Sequence, residues 1–276
     1  MELFWHRRFV KGWRDREQSD RLPHAVLLLG PEGTGKRLAA EWIARRSLGQ
    51  RPLADMPSYP SNPLEHADLS WISPPEDKDA IGIEQIRALV SDFSLTSYAG
   101  AGKVAVIDPA HRMTANAANS LLKTLEEPPG DALLILVADR IGRLPATVFS
   151  RCQRINFAAP DRAAALAWLD QLRPGAPWPE ALTLAGGAPL AAIAALDQLE
   201  SSSALGRDLN AVGRGMESPV LVAARWAKLD PAFVLDWLAR EVNHAIIALS
   251  AGSTAGEILS IDVFVVRRMD RRNLFC

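Results

Sequence analysis

The sequence predicts an α/β protein: a parallel sheet built around a glycine-rich loop, followed by an all-helical remainder. Three observations carry this. Short apolar runs alternate with helical periodicity over residues 1–158. The first run opens directly onto Gly30-Pro31-Glu32-Gly33-Thr34-Gly35-Lys36-Arg37. From Ala159 onward, Ala, Leu and Trp recur at helical spacing and β-branched runs become rare.

The elements follow in order. His24–Leu29 is a short apolar run ending at Gly30, as a buried parallel strand requires. Lys36–Leu48 reads as a helix with Leu38, Ala39, Trp42 and Ile43 on one face. Arg51–Pro63 holds four prolines and no periodicity, and is expected to be an exposed loop. Leu69–Ser73 is a second strand, and Val104–Ile107 a third, ending at Asp108. Ala117–Glu127 places Ala118, Leu121, Leu122 and Leu125 at i, i+3, i+4 and i+7, and Pro128-Pro129 stops that helix. Leu133–Ala138 and Arg154–Phe157 complete five strands. Beyond them Pro160-Asp161 starts a helix. Arg173–Pro179 is a turn-rich break, Gly186-Gly187-Ala188-Pro189 punctuates two further helices, and Ser201-Ser202-Ser203 is a linker or helix start. Ile258–Val266 remains ambiguous between strand and helix. No internal repeat is visible.

Bulk properties exclude several classes. The 276 residues are 48% apolar and 23% charged, an ordinary soluble composition. Net charge is −1, so any contact with nucleic acid must come from a local patch or a larger assembly. Arg267, Arg268, Arg271 and Arg272 form one such basic cluster, for which a solvated helix end is the commoner role. The two cysteines, Cys152 and Cys276, form no metal-ligand spacing and fit a reducing cytoplasm. Charges interrupt the N-terminus before a signal-length apolar run builds up, and no stretch approaches a membrane span. Eight tryptophans at helical spacing suggest core and inter-subunit packing rather than base stacking.

The glycine-rich loop sits between a strand and a helix, the context of a phosphate-binding P-loop. Gly30, Gly33 and Gly35 let backbone N–H groups turn towards phosphate oxygens, and Lys36 is placed to reach the terminal phosphates. The next residue should be Ser or Thr, whose hydroxyl ligates Mg²⁺; Arg37 cannot do so and repels a cation. The strand Val104–Ile107 ends on Asp108, the usual second element of such a metal site. An active enzyme places an acid next, to orient the attacking water; here Pro109 stands there. His111 is better read as a helix-start or surface histidine than as a substitute base. Weak ATP or ADP binding and a purely structural turn both stay open.

Two longer stretches identify a family. Thr114-Ala115-Asn116-Ala117-Ala118-Asn119-Ser120-Leu121-Leu122-Lys123-Thr124-Leu125-Glu126-Glu127-Pro128-Pro129 and Leu144-Pro145-Ala146-Thr147-Val148-Phe149-Ser150-Arg151-Cys152-Gln153 resemble bacterial clamp-loader subunits of the AAA+ class, as do His66-Ala67-Asp68 and Ile81-Gly82-Ile83-Glu84-Gln85-Ile86-Arg87. The resemblance covers about residues 20–200. Within that family, Arg37, Pro109 and Ala138, the last near a threonine of the motor subunits, place the chain with the delta-prime subunits of the DNA polymerase III clamp loader. The resemblance implies an AAA+ P-loop module over residues 1–158, a helical lid over 159–200 and a helical collar over 201–276 that is shorter than the family pattern. It implies an arginine finger at Arg151, acting in trans on a neighbour's ATP, with Ser150 and Cys152 as structural neighbours. It implies partners: a gamma/tau-type ATPase subunit and a delta subunit in a hetero-pentamer, with the sliding clamp and primed DNA reached through that complex and no membrane. Many family members carry a four-cysteine zinc module, but Ser47–Glu65 contains no cysteine, so no zinc is expected. Gly186-Gly187-Ala188-Pro189 resembles the family's lid motif, yet no arginine follows where one would sense nucleotide. Two competing functions are an active ATPase motor subunit, against which Arg37 and Pro109 argue, and a stand-alone DNA-binding AAA+ protein, against which the net charge argues.

Overall fold

All five predicted strands enter one parallel sheet. The computed structural model describes residues 1–50, 55–98, 100, 102–139, 144–196 and 198–250. Its strands are β1 (Ala25–Leu29), β2 (Leu69–Ile72), β3 (Val104–Ile107), β4 (Leu133–Ala138) and β5 (Gln153–Asn156), in the order β2-β3-β4-β1-β5. The fifth strand begins and ends one residue earlier than the periodicity predicts. The helices of this part are α1 (Arg7–Gln18), α2 (Lys36–Ser47), α3 (Ile83–Phe93), α4 (Ala115–Glu126), the short α5 (Ala146–Phe149) and α6 (Arg162–Leu172).

The central strands read as unbroken apolar runs because helices cover both faces of the sheet. Side chains alternate between the faces. Ala25, Leu27 and Leu29 of β1 join Leu134, Leu136 and Ala138 of β4 on one face. There they pack with Ile86, Leu89 and Phe93 of α3 and Ala118, Leu121 and Leu125 of α4. Val26 and Leu28, with Ile135 and Val137, face the other way onto Val10 and Trp13 of α1 and Ala39, Trp42 and Ile43 of α2. Five tryptophans (Trp13, Trp42, Trp168, Trp178 and Trp237) are buried, as core packing requires.

The register fixes what surrounds the glycine-rich loop. Leu29 pairs with Ala138 across β1 and β4, so the residue after β4 stands beside the first residue of the loop. Phe157 N–H donates to the Leu29 carbonyl at 2.7 Å on the β5 side. The segment expected to be an exposed loop is partly tied down. Leu3 N–H donates to the Pro57 carbonyl, Tyr59 N–H donates to the Met1 carbonyl, both at 2.8 Å, and Pro57 is buried. Backbone bonds to the N-terminal residues hold the segment despite its prolines.

The chain divides into two compact units. The first comprises Met1–Leu172 with Ala188–Ala191 and holds the sheet; the second comprises Arg173–Gly187 and Ala192–Cys276. Four further helices contribute wholly to the second: α7 (Trp178–Leu184), α9 (Leu199–Gly213), α10 (Pro219–Trp226) and α11 (Pro231–Ser250). Between α7 and α9 lies α8 (Pro189–Leu196), whose first residues belong to the first unit. Leu205, Val234 and Trp237 form the second unit's core, with Leu184, Leu209 and Trp226 against them. Ile258–Val266, the cluster Arg267, Arg268, Arg271 and Arg272, and Cys276 lie outside the described residues. Among the described residues no single helix is long and apolar enough to cross a membrane.

Candidate functional site

The loop after β1 has the backbone of a phosphate cradle. Gly30 has φ 153°, and a Cβ there would stand 2.0 Å from the Phe157 carbonyl oxygen, so only glycine fits. Gly33 and Gly35 follow at φ 76° and 93°. At Gly35 a Cβ would meet Leu3 Cδ1 at 2.6 Å and the His6 ring at 2.9 Å, because the N-terminal segment packs against the loop. That segment also bonds to it. Trp5 Nε1 and His6 Nε2 both donate to the Thr34 carbonyl, at 2.9 and 2.8 Å. His6 is 1% exposed, and burial lowers its pKa to about 4, partly offset by that backbone bond. The ring is therefore neutral with its proton on Nε2, and Nδ1 makes no hydrogen bond among the described residues.

Lys36, the first residue of α2, does not point a free ammonium at the cradle. Its Nζ donates to the Gly30 and Pro31 carbonyls and to Asp139 Oδ1, each at 2.7 Å. An ammonium has three protons, and all three are used. The side chain is only 4% exposed. Asp139 is the residue the sheet register brings beside Gly30. Ala138, where the family resemblance expects loss of a phosphate-sensing threonine, is buried among the residues packed on α3 and α4, and the next residue supplies an acid instead.

Arg37 and Asp108 also meet. Arg37 Nε lies 3.5 Å from Asp108 Oδ2, and its guanidinium sits 5.3 Å from the Trp71 ring centre. Burial pushes the Asp108 carboxyl above the ordinary carboxylate range. Arg37 and Lys36 pull it back, whereas Asp139 and Glu32 push it further up. Pro109 follows Asp108, and His111 stands in the single turn Ala110–Arg112. His111 stands at a helix start, one of the two places expected for it; it is partly buried in the cleft wall, and its Nδ1 accepts from the Asp139 N–H at 3.4 Å. Lys36, Arg37, Asp108, Pro109, His111 and Asp139 share one cleft of about 540 Å³.

These residues do not fit a Mg²⁺-bound nucleotide. A guanidinium replaces the hydroxyl ligand, proline replaces the water-orienting acid, and the loop lysine already neutralises an internal carboxylate. Among the described residues no group of three or more His, Cys, Asp or Glu is arranged to hold a metal ion.

Arg151 lies apart from that cleft. It follows α5, and its Nη1 donates to the Thr147 carbonyl at 3.0 Å. Its Nε donates to Glu126 Oε1 at 2.7 Å, and Nη2 donates to the same oxygen. Glu126 is the last residue of α4, so the two long family-like stretches meet through this ion pair. The Arg151 side chain keeps 33% exposure. Cys152 is buried beneath it, and burial pushes its thiol up to about 12, which fits a small core residue rather than a nucleophile.

Sequence reasoning missed Asp139, Glu126 and His6. A signal existed for Asp139: an acid directly after an apolar strand, as with Asp108. It becomes informative only once β4 is known to adjoin β1, because ligands of open parallel sheets gather at the carboxyl ends of adjacent strands.

Fold and site together define an AAA+-type P-loop module whose own metal chemistry has been replaced. A solved structure of the Thermotoga maritima RuvB Holliday junction branch migration motor is similar in fold. It has 18% identity and a TM-score of 0.50, covering 95% of this chain and 87% of that one. The model of the family described as DNA polymerase III, delta subunit, matches residues 5–161, and the chain belongs to that family. DNA polymerase III subunit delta' of Pseudomonas aeruginosa is 40% identical over 178 residues, 61% of this chain and 54% of the relative. The subunit delta' of Bacillus subtilis is 39% identical over 145 residues, 51% and 44% respectively. The chain thus spans about half the length of the curated relatives it matches.

Proposed function

We propose that this chain is the non-motor, delta-prime-type subunit of a cytoplasmic DNA polymerase III clamp loader. One contrast supports the reading best. Arg37 and Pro109 stand where hydrolysis needs a metal ligand and an acid, whereas Arg151 keeps its place in a Ser-Arg-Cys turn with part of its guanidinium open to solvent. The chain gives up its own ATP chemistry and contributes to a neighbour's. It assembles with a gamma/tau-type ATPase subunit and a delta subunit, and reaches the sliding clamp and primed DNA through that assembly. A lid over residues 159–200 and a collar over 201–276 are part of this reading.

Arg151 acts as an arginine finger. Phosphoryl transfer spreads negative charge over the γ-phosphate oxygens, and a planar guanidinium offsets it with several fixed donors. In the isolated chain Glu126 keeps the guanidinium neutralised and aimed; on assembly the neighbour's γ-phosphate competes for the same N–H groups. The experiment is a reconstituted loader carrying Arg151→Ala or Arg151→Lys, with DNA-stimulated ATPase and clamp loading as readouts. Arginine fingers are worth about 10³–10⁵ in rate, so loss of turnover at the adjacent ATP site is expected with both variants while the complex still elutes as one species. Wild-type turnover by Arg151→Ala would refute the finger, and failure of the wild-type chain to co-elute would refute the assembly.

A further inference from the structure

The chain carries a built-in occupant for its own phosphate site. Phosphate cradles work because a lysine ammonium and a run of backbone N–H groups at a helix N-terminus hold a charge deficit that an anion fills. Here the ammonium's part of that deficit is already filled. The Asp139 carboxylate sits 2.7 Å from Lys36 Nζ, and the other two ammonium protons are taken by the Gly30 and Pro31 carbonyls at the same distance. The pair is secluded, with Lys36 4% and Asp139 28% exposed, so its attraction is screened less than that of a surface pair. Two other cations line the cleft: Arg37 is engaged by Asp108 and Trp71, and Arg112 lies 3.8 Å from Asp79. A polyphosphate entering this cleft would have to displace Asp139 and then lie beside three carboxylates, Glu32, Asp108 and Asp139, with no metal ligand at position 37 to bring an intervening cation.

We infer that Asp139 is the residue that closes this loop to nucleoside di- and triphosphates, by occupying Lys36 in their place. The cradle itself is intact, with Gly30, Gly33, Gly35 and Lys36 all in position. Removing one carboxylate therefore releases an ammonium and removes a repulsion at once, and the loop becomes a metal-independent polyphosphate site. The inference concerns the chain's own loop and does not depend on any role of Arg151.

The test is direct binding of ADP and ATP to the full chain, in EDTA, by isothermal titration. The variants are wild type, Asp139→Asn, Asp139→Ala and the double variant Asp139→Asn with Lys36→Ala. Wild type is expected to show no saturation at about 1 mM nucleotide. Asp139→Asn and Asp139→Ala are expected to bind at least tenfold more tightly, the gain expected from freeing one charge at close range. The double variant is expected to lose the gain, and inorganic pyrophosphate is expected to compete in the single variants. Thermal unfolding of each variant checks that the sheet is intact; the two replacements differ in hydrogen-bonding capacity, so a folding defect in one leaves the other to decide. Wild type binding as tightly as the Asp139 variants, or folded Asp139 variants binding no better than wild type, would overturn the inference.

Discussion

His6 shows how one side chain is recruited to hold a loop. It is surrounded by aromatic rings, with the Phe157 ring centre at 4.9 Å and Trp5 and Phe9 at about 6 Å, and its one bond goes to the Thr34 carbonyl. Burial outweighs the one contact that favours a charge, the Thr34 carbonyl, and lowers its pKa to about 4 against an ordinary 6.5. The consequence for stability has a definite sign. Between those values the unfolded chain binds a proton that the folded chain does not. The contribution is complete above pH 6.5 and is lost as pH falls towards 4, amounting to roughly 3 kcal/mol at the acid end. Urea denaturation at pH 7, 5 and 4 measures it. His6→Gln should be less stable than wild type at pH 7, with the gap closing by pH 4. A gap that stays constant with pH would show that His6 does not titrate in this way.

At the scale of elements, α4 has the most to lose from a single change. Thr114 caps it, with Oγ1 accepting the Ala117 N–H at 3.2 Å, and Thr114 N–H donates to the Ile81 carbonyl at 3.0 Å, anchoring the helix start to the strand-like segment before α3. Thr114→Ala removes the cap alone and should cost about 1 kcal/mol, read as a lower urea midpoint at unchanged slope. A change below a few tenths would mean solvent satisfies that N–H equally well. The helix was legible in the sequence because Ala118, Leu121, Leu122 and Leu125 keep one face and a double proline ends it. The central strands β1, β3 and β4 were legible because covering helices leave them apolar throughout. The helix α1 was not: only Val10 and Trp13 are fully buried, a stripe too narrow to stand out among seven charged residues. The same limit applies to the site. Arg37, Pro109 and Arg151 announce themselves by position within local motifs. Asp139 opposite Lys36, Glu126 opposite Arg151 and His6 behind Thr34 are pairings across 103, 25 and 28 residues. They require the strand order and the path of the chain ends, which periodicity does not encode.

At the scale of the whole molecule, charge decides what the isolated chain does with DNA. It carries 31 basic and 32 acidic residues, and much of the basic charge in the described part is already committed. Lys36, Lys103, Arg46 and Arg151 each bond a carboxylate, to Asp139, Asp92, Glu17 and Glu126 respectively. Non-specific DNA affinity comes from cations that release condensed counterions, and a protein making 6–10 phosphate contacts reaches about 10⁻⁴–10⁻⁶ M at physiological salt. A chain with no net positive charge and many paired arginines has little of that term outside the cluster Arg267, Arg268, Arg271 and Arg272. Fluorescence anisotropy with a labelled primed duplex should therefore show no saturation by the isolated chain at about 100 μM protein in ~150 mM salt. If the proposed function holds, adding an ATPase and a delta subunit should produce binding that falls steeply between about 50 and 200 mM salt, because the phosphate contacts would then belong to the assembly. Micromolar, salt-steep binding by the chain alone would place a DNA-reading surface on it. It would favour an autonomous DNA-binding protein over a subunit that reaches DNA only through its neighbours.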